Sequence, residues 1–215
     1  MNQATPLDPF PWRRSALVTV DVQRDTLDGA PLQVPGTSAV VPAVAGLCEA
    51  FRAARRPIVH VVRIYRQDGS NAEPVRRALV AGPTPVLRPG TPGRLLADGL
   101  APPGAGELDD DLLLAGGIQR LGEWDVALYK PRWGAFYRTP LESHLEGLGV
   151  GALVVTGCNF PNCPRTTIYE ASERDLRVCV VDDAVSGLYD QGRDELRAIG
   201  VELRPATEVA AQLRP

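Results

Sequence analysis

Apolar positions along the chain fall into two alternating patterns, continuous runs and helical periodicity. The first run, Ser15 to Val22 (SALVTVDV), lies between Arg13-Arg14 and the polar Gln23-Arg24-Asp25. A run of this kind is expected of a strand buried on both faces of a parallel sheet. Residues 38 to 55 then place Val41, Val44, Leu47, Cys48 and Phe51 on one helical face. Arginines fill the last turn, where the negative end of the helix dipole favours them, and Pro57 stops the helix. Ile58 to Ile64 reads as the second strand and Val126 to Tyr129 as a short third. Thr139-Pro140-Leu141 opens a helix to Leu148 with Thr139 as cap. A strand at 152 to 156, a helix from Cys163 and a strand at 178 to 182 follow. A last helix, strand and helix cover Asp194 to Ile199, Val201 to Leu203 and Thr207 to Leu213. This alternation predicts a doubly wound α/β fold: a six-stranded parallel sheet with helices on both faces, a Rossmann-like three-layer sandwich.

Residues 65 to 125 break the pattern. They are rich in Gly and Pro (AGPTPVLRPGTPGR, then APPGAG), with short helical patterns at Ala72 to Val80 and Asp109 to Leu114. A connection this long inside a compact domain is usually functional or a covering segment. No stretch of it suffices for a core, so it is expected to cover the sheet edge within a single domain spanning 1 to 215. Asp109-Asp110-Asp111 reads as a solvated helix start rather than a metal site. With 215 residues, 44% of them hydrophobic, the chain is long enough for one full core. A net charge of −3 points to neither a nucleic-acid groove nor an anionic membrane surface. No long apolar span appears and the start, MNQATPLDPFPW, is polar and proline-rich, so a cytoplasmic protein without membrane partners is expected.

Four cysteines, Cys48, Cys158, Cys163 and Cys179, are few for this length and show no Cys-x-x-Cys spacing. With only His60 and His144 as imidazole donors, neither a disulfide framework nor a structural zinc site is expected. Cys48 and Cys179 fall in a helical and a strand pattern and read as core, and His60 reads as a satisfied core or sheet-face histidine. Cys163 differs. It follows a strand, the tight segment Gly157 to Asn162 and a candidate N-cap, Asn162, and it precedes Pro164, a residue type suited to a first helical turn. Unpaired N–H groups and the helix dipole favour an anion there, so its thiol is expected to ionise more readily than a free one and at lower pH than Cys48.

Among 23 basic residues a single one is lysine, Lys130. An ammonium is a compact point charge where a guanidinium is a broad fork, so a lone lysine marks a candidate position that arginine does not fit. Asp21, Lys130 and Cys163 all lie at carboxyl ends of strands, the edge at which open α/β sheets bind ligands. Together they make a base, a cation and a nucleophile. The carboxylate takes the thiol proton, the ammonium stabilises both anions, and the thiolate attacks a carbonyl whose oxyanion the N–H groups of the 157 to 163 turn hold.

The blocks VTVDVQ (18 to 23), YKPRWGAFYRTPLESHL (129 to 145) and VVTGCNFPNCPRTTIYEASERDLRVCVVDDAVSG (154 to 187) resemble the isochorismatase-like cysteine hydrolases. That superfamily also holds nicotinamidases and N-carbamoylsarcosine amidohydrolase. The resemblance implies a six-stranded parallel sheet, an Asp21-Lys130-Cys163 triad, an acyl-enzyme route and no cofactor. It also implies a cis peptide before the nucleophile, mapping to Cys158-Asn159, that aims the Asn159 and Cys163 N–H groups at one point; Phe160-Pro161 is a competing site for the cis bond. Trp133, Phe136 and Tyr65 are expected to wall a pocket for a small-molecule substrate, and a homo-oligomer is implied.

Two departures narrow the expectation. Nicotinamidases carry an Asp-x-His-x-x-x-x-x-His metal motif after the second strand, and residues 61 to 143 hold no histidine. Phe160-Pro161-Asn162 replaces the Thr-Asp that usually precedes the cysteine. The expected activity is therefore metal-independent cysteine hydrolysis of a C–N bond in a small amide, ureide or lactam. Two other readings stay open: an isochorismatase-type vinyl ether hydrolase, and a catalytically idle scaffold that binds a small ligand.

Overall fold

The first apolar run forms β1 (Ser15–Val20), and every one of its residues is buried. The computed structural model describes residues 9 to 214; the polar, proline-rich residues 1 to 8 lie outside the described residues. Helix α1 (Thr37–Ala53) returns the chain along one face to β2 (Ile58–Val62). A 3-10 turn then leads into α2 (Arg77–Val80), and α3 (Asp110–Leu114) begins with Asp109 accepting from the Leu112 N–H at 3.0 Å. The aspartate run is thus a helix start, and Asp110 pairs with Arg94. Strands β3 (Ile118–Arg120) and β4 (Asp125–Tyr129) follow, then α4 (Leu141–Gly147), β5 (Ala152–Gly157), α5 (Cys163–Ser172) and β6 (Arg177–Val185). The described chain closes with α6 (Asp190–Ala198), β7 (Glu202–Arg204) and α7 (Ala206–Gln212).

The strands make one seven-stranded sheet in the order β3-β4-β2-β1-β5-β6-β7. All neighbours are parallel except β3, which pairs antiparallel with β4. The expected count of six is corrected to seven. Ile-Gln-Arg is short and only partly buried, so the extra edge strand leaves no apolar run for a sequence reading to detect. The α/β layering itself is as expected. One core cluster joins Val44, Leu47 and Phe51 of α1 to Val209 of α7 and, from the long connection, Leu100 and Leu113. The other joins Leu141 and Leu145 of α4 to Ile168 of α5 and Leu196 of α6. Cys48 and Cys179 are buried in the first cluster. His60 is buried in the sheet between the Thr19 hydroxyl at 2.9 Å and Asp125 at 3.2 Å, and Arg52 also grips Asp125.

The chain reverses direction across the sheet between β1 and β5, which places a crevice at their carboxyl ends. Gly157 ends β5 at that crevice with φ 128°, and a Cβ there would run into the Val20 carbonyl of β1. Gly157→Ala is expected to lower unfolding stability by about 3 kcal/mol. Urea denaturation checks this: a midpoint unchanged from the parent chain would show that the backbone has room to give.

Candidate active site

Asp21 follows β1 directly and takes φ 53°, a left-handed conformation unusual for a non-glycine residue. Its N–H donates to the Val61 carbonyl at 2.9 Å, and its own carbonyl accepts from the Thr26 hydroxyl at 3.0 Å. The residue is fixed on both sides while its side chain turns toward the crevice. Lys130 follows β4, and its N–H still donates to Val62 at 3.0 Å. Strand β2 lies between β4 and β1, so their axes are about 10 Å apart. The long unbranched lysine side chain spans that gap over the end of β2. Its Nζ reaches Asp21 Oδ2 at 2.8 Å and the Arg132 carbonyl at 3.2 Å, with no exposure to solvent.

Cys163 is the first residue of α5, with Pro164 beside it in the first turn. Asn162 holds the N-cap position without capping through its side chain, whose amide donates to Asn159 Oδ1 at 3.3 Å instead. The cis peptide lies at Cys158-Asn159 rather than at Phe160-Pro161. The backbone N–H groups of Asn159 and Cys163 donate to nothing among the described residues, whereas the intervening Phe160 N–H is taken by Ser186 at 2.8 Å. Asp21 Oδ1 is buried and has no hydrogen-bond partner.

Burial pushes the Cys163 thiol up to about 12; the Asp21 carboxylate adds to the rise and the Lys130 ammonium opposes it. The expectation of an easily ionised thiol is therefore corrected: removal from water outweighs the start of the helix. Cys48 is likewise raised to about 12, chiefly by burial, so no lower-pH reaction of Cys163 follows. Burial works to lower the Lys130 pKa, but Asp21 and Cys163 outweigh it and the pKa is raised. At rest the site holds a carboxylate, an ammonium and a neutral thiol. Alkylation of Cys163 by iodoacetamide should accordingly rise about tenfold per pH unit through the alkaline range. Peptide mapping by mass spectrometry checks this, and a plateau near neutrality would mean a resting thiolate.

Around this centre lies a cavity of about 30 Å³. Tyr65 and Trp133 line it, as expected. Phe136 does not: it packs into the core beside Leu141 and Ile168, with the Arg174 guanidinium 4.8 Å from its ring centroid. Its N–H is held by Glu170 at 2.9 Å, which turns the ring away from the crevice. Sequence reasoning missed Arg63, Glu73 and Arg76. Arg63 is buried, pairs with Glu73 and donates to the carbonyls of Lys130 at 2.8 Å and Arg132 at 3.0 Å. It thereby holds the loop that carries Lys130. Gln23 ties the same corner together by accepting from the Arg63 N–H at 2.7 Å and donating to the Arg63 carbonyl at 2.9 Å. The available signal was an arginine ending the second apolar run, followed ten residues on by Glu73 in a short helical pattern.

The Isochorismatase domain matches residues 15–109 and 117–200. The chain belongs to the isochorismatase family. Among members, it is 34% identical over 210 residues to a probable inactive nicotinamidase of Arabidopsis thaliana, covering 94% of this chain and 97% of that one. It is 30% identical to the maleamate amidohydrolase of Pseudomonas putida, over 80% of this chain and 72% of that one. The crystal structure of an isochorismatase family protein from Desulfovibrio vulgaris superposes with a TM-score of 0.77 at 34% identity, covering 93% of this chain and 98% of that one. Among the described residues of this family member, no group of three or more His, Cys, Asp or Glu side chains is placed to hold a metal ion. No helix among them is long and apolar enough to cross a membrane.

Proposed function

We propose that this isochorismatase-family chain is a cysteine hydrolase that cleaves a C–N bond of a small amide, ureide or lactam through a thioester. The observation that carries the reading is the Asp21 carboxylate, with one oxygen on Lys130 and the other unpartnered, beside the protonated Cys163 thiol. In the first step Sγ bonds to the substrate carbonyl carbon as its proton passes to Asp21. The resulting oxyanion accepts from the Asn159 and Cys163 N–H groups, preorganised donors of a kind worth about 3 kcal/mol each. Collapse breaks the C–N bond, and Asp21 returns the proton to the departing nitrogen. Water then attacks the thioester as Asp21 takes its proton, and collapse expels the sulfur, which recovers that proton. Lys130 stays charged throughout and offsets the negative charge on whichever partner carries it.

The test is intact-mass spectrometry after rapid mixing with a panel of small amides, ureides and lactams. A transient acyl adduct mapped to Cys163 is expected. A second reading, an idle ligand-binding scaffold, draws on the small size of the cavity, about one water's worth of space, and on the similarity to a relative named as inactive. If no compound leaves an adduct on Cys163, that second reading replaces the first.

A further inference from the structure

Three cations and two anions line the cavity, and the pairing leaves one cation over. Lys130 is joined to Asp21 and Arg63 to Glu73. Arg76 lines the same cavity and forms no ion pair among the described residues. The acid nearest in sequence, Glu73, is committed to Arg63, with the Tyr65 hydroxyl on its other oxygen at 3.5 Å. Arg76 itself is half-buried and hydrogen-bonds Tyr65, a neutral partner. Burial works against its charge, while Tyr65, Cys163 and Glu73 favour it. With a neutral thiol the cavity therefore carries one uncompensated positive charge close to the reactive sulfur. A partly desolvated cation of that kind is unfavourable until an anion joins it.

We propose, resting on the hydrolase reading above, that the substrate is an anion: a small amide or ureide bearing a carboxylate, which the Arg76 guanidinium grips while Cys163 attacks the C–N carbonyl. A guanidinium presents parallel N–H donors that match a planar carboxylate, and such a pair gives orientation as well as affinity. The apolar wall formed by Leu32, Val34 and Leu87 suits a short hydrocarbon link between the two polar ends. Arg76 is then the residue that selects acidic over neutral amides, and the ion pairs at Asp21 and Glu73 keep the other two cations from competing for the ligand.

Alkylation of Cys163 tests this without any turnover. Iodoacetate and iodoacetamide deliver the same carbon to sulfur, and only the first carries a carboxylate. The ratio of their rates at Cys163, mapped by mass spectrometry, is compared with the ratio for glutathione under the same conditions. The parent chain should favour iodoacetate over the glutathione reference by about tenfold, the effect of one charge-assisted hydrogen-bonded contact. Arg76→Gln should bring the ratio close to that of glutathione, and Arg76→Lys, which keeps the charge, should retain most of the preference. An equal ratio in the parent chain and Arg76→Gln would overturn the role of Arg76 and leave the hydrolase reading standing. If neither reagent reaches Cys163 in the folded chain while both label it after unfolding, the hydrolase reading falls and this inference with it.

Discussion

Cys163→Ser is expected to lower kcat/KM on any amide or ureide that the parent chain hydrolyses by about 10⁴-fold or more, the scale seen when the nucleophile of a covalent hydrolase is removed. The substitution leaves the side chain nearly unchanged in size, so the fold and the Lys130 to Asp21 ion pair should persist, and melting temperature provides the control. What changes is the proton affinity of the attacking atom. A hydroxyl is far harder to deprotonate than a thiol, and a single carboxylate steadied by an ammonium is too weak a base to activate it. Steady-state kinetics with product quantified by chromatography checks the prediction. Full turnover in Cys163→Ser would show that sulfur forms no bond in the reaction and would favour a vinyl ether substrate, whose cleavage needs no thioester.

The parts of this protein that were legible in its sequence are those set by one physical pattern at a time. Fully buried strands such as β1 and β5 are continuous apolar runs, so their places and the carboxyl-end residues Asp21 and Cys163 could be read directly. Lys130 stood out because every other basic residue is arginine, and the structure supplies a reason: its ammonium must cross over the end of β2 to meet Asp21. Features that depend on several distant segments were not legible. Arg63, Glu73 and Arg76 have ordinary neighbours in sequence, and only the folded path of the long connection brings them to the cavity. Phe136 failed for the opposite reason. An aromatic two residues from a pocket-lining glycine-rich turn reads as a wall, but Glu170 holds its N–H and directs the ring into the core. The state of the thiol was misjudged because helix position is visible in sequence and depth of burial is not. At Cys163 burial is the stronger influence.

Lys130→Met is expected to have the largest effect on stability, a loss of about 3–5 kcal/mol, because it leaves a buried carboxylate without its counter-charge. Methionine fills much of the same volume, so the loss reports charge rather than packing. Lys130 is completely buried and the Asp21 side chain is 9% exposed, which keeps solvent from screening the pair. The double variant Asp21→Asn/Lys130→Met, with neither charge present, should recover most of that stability while remaining inactive, since base and cation are both gone. The pH dependence carries a definite sign. The Lys130 pKa is raised in the folded chain, so its contribution is complete below the unfolded value of about 10.4 and is lost only as pH climbs through the higher folded value. The gap between the parent chain and Lys130→Met should therefore stay flat from about pH 6 to about pH 9 on the lysine side of the pair. Chemical denaturation across that range measures it. A double variant no more stable than Lys130→Met alone would mean that the lysine is retained for packing, and the ion pair would lose its place as the element that holds base and cation ready beside the sulfur.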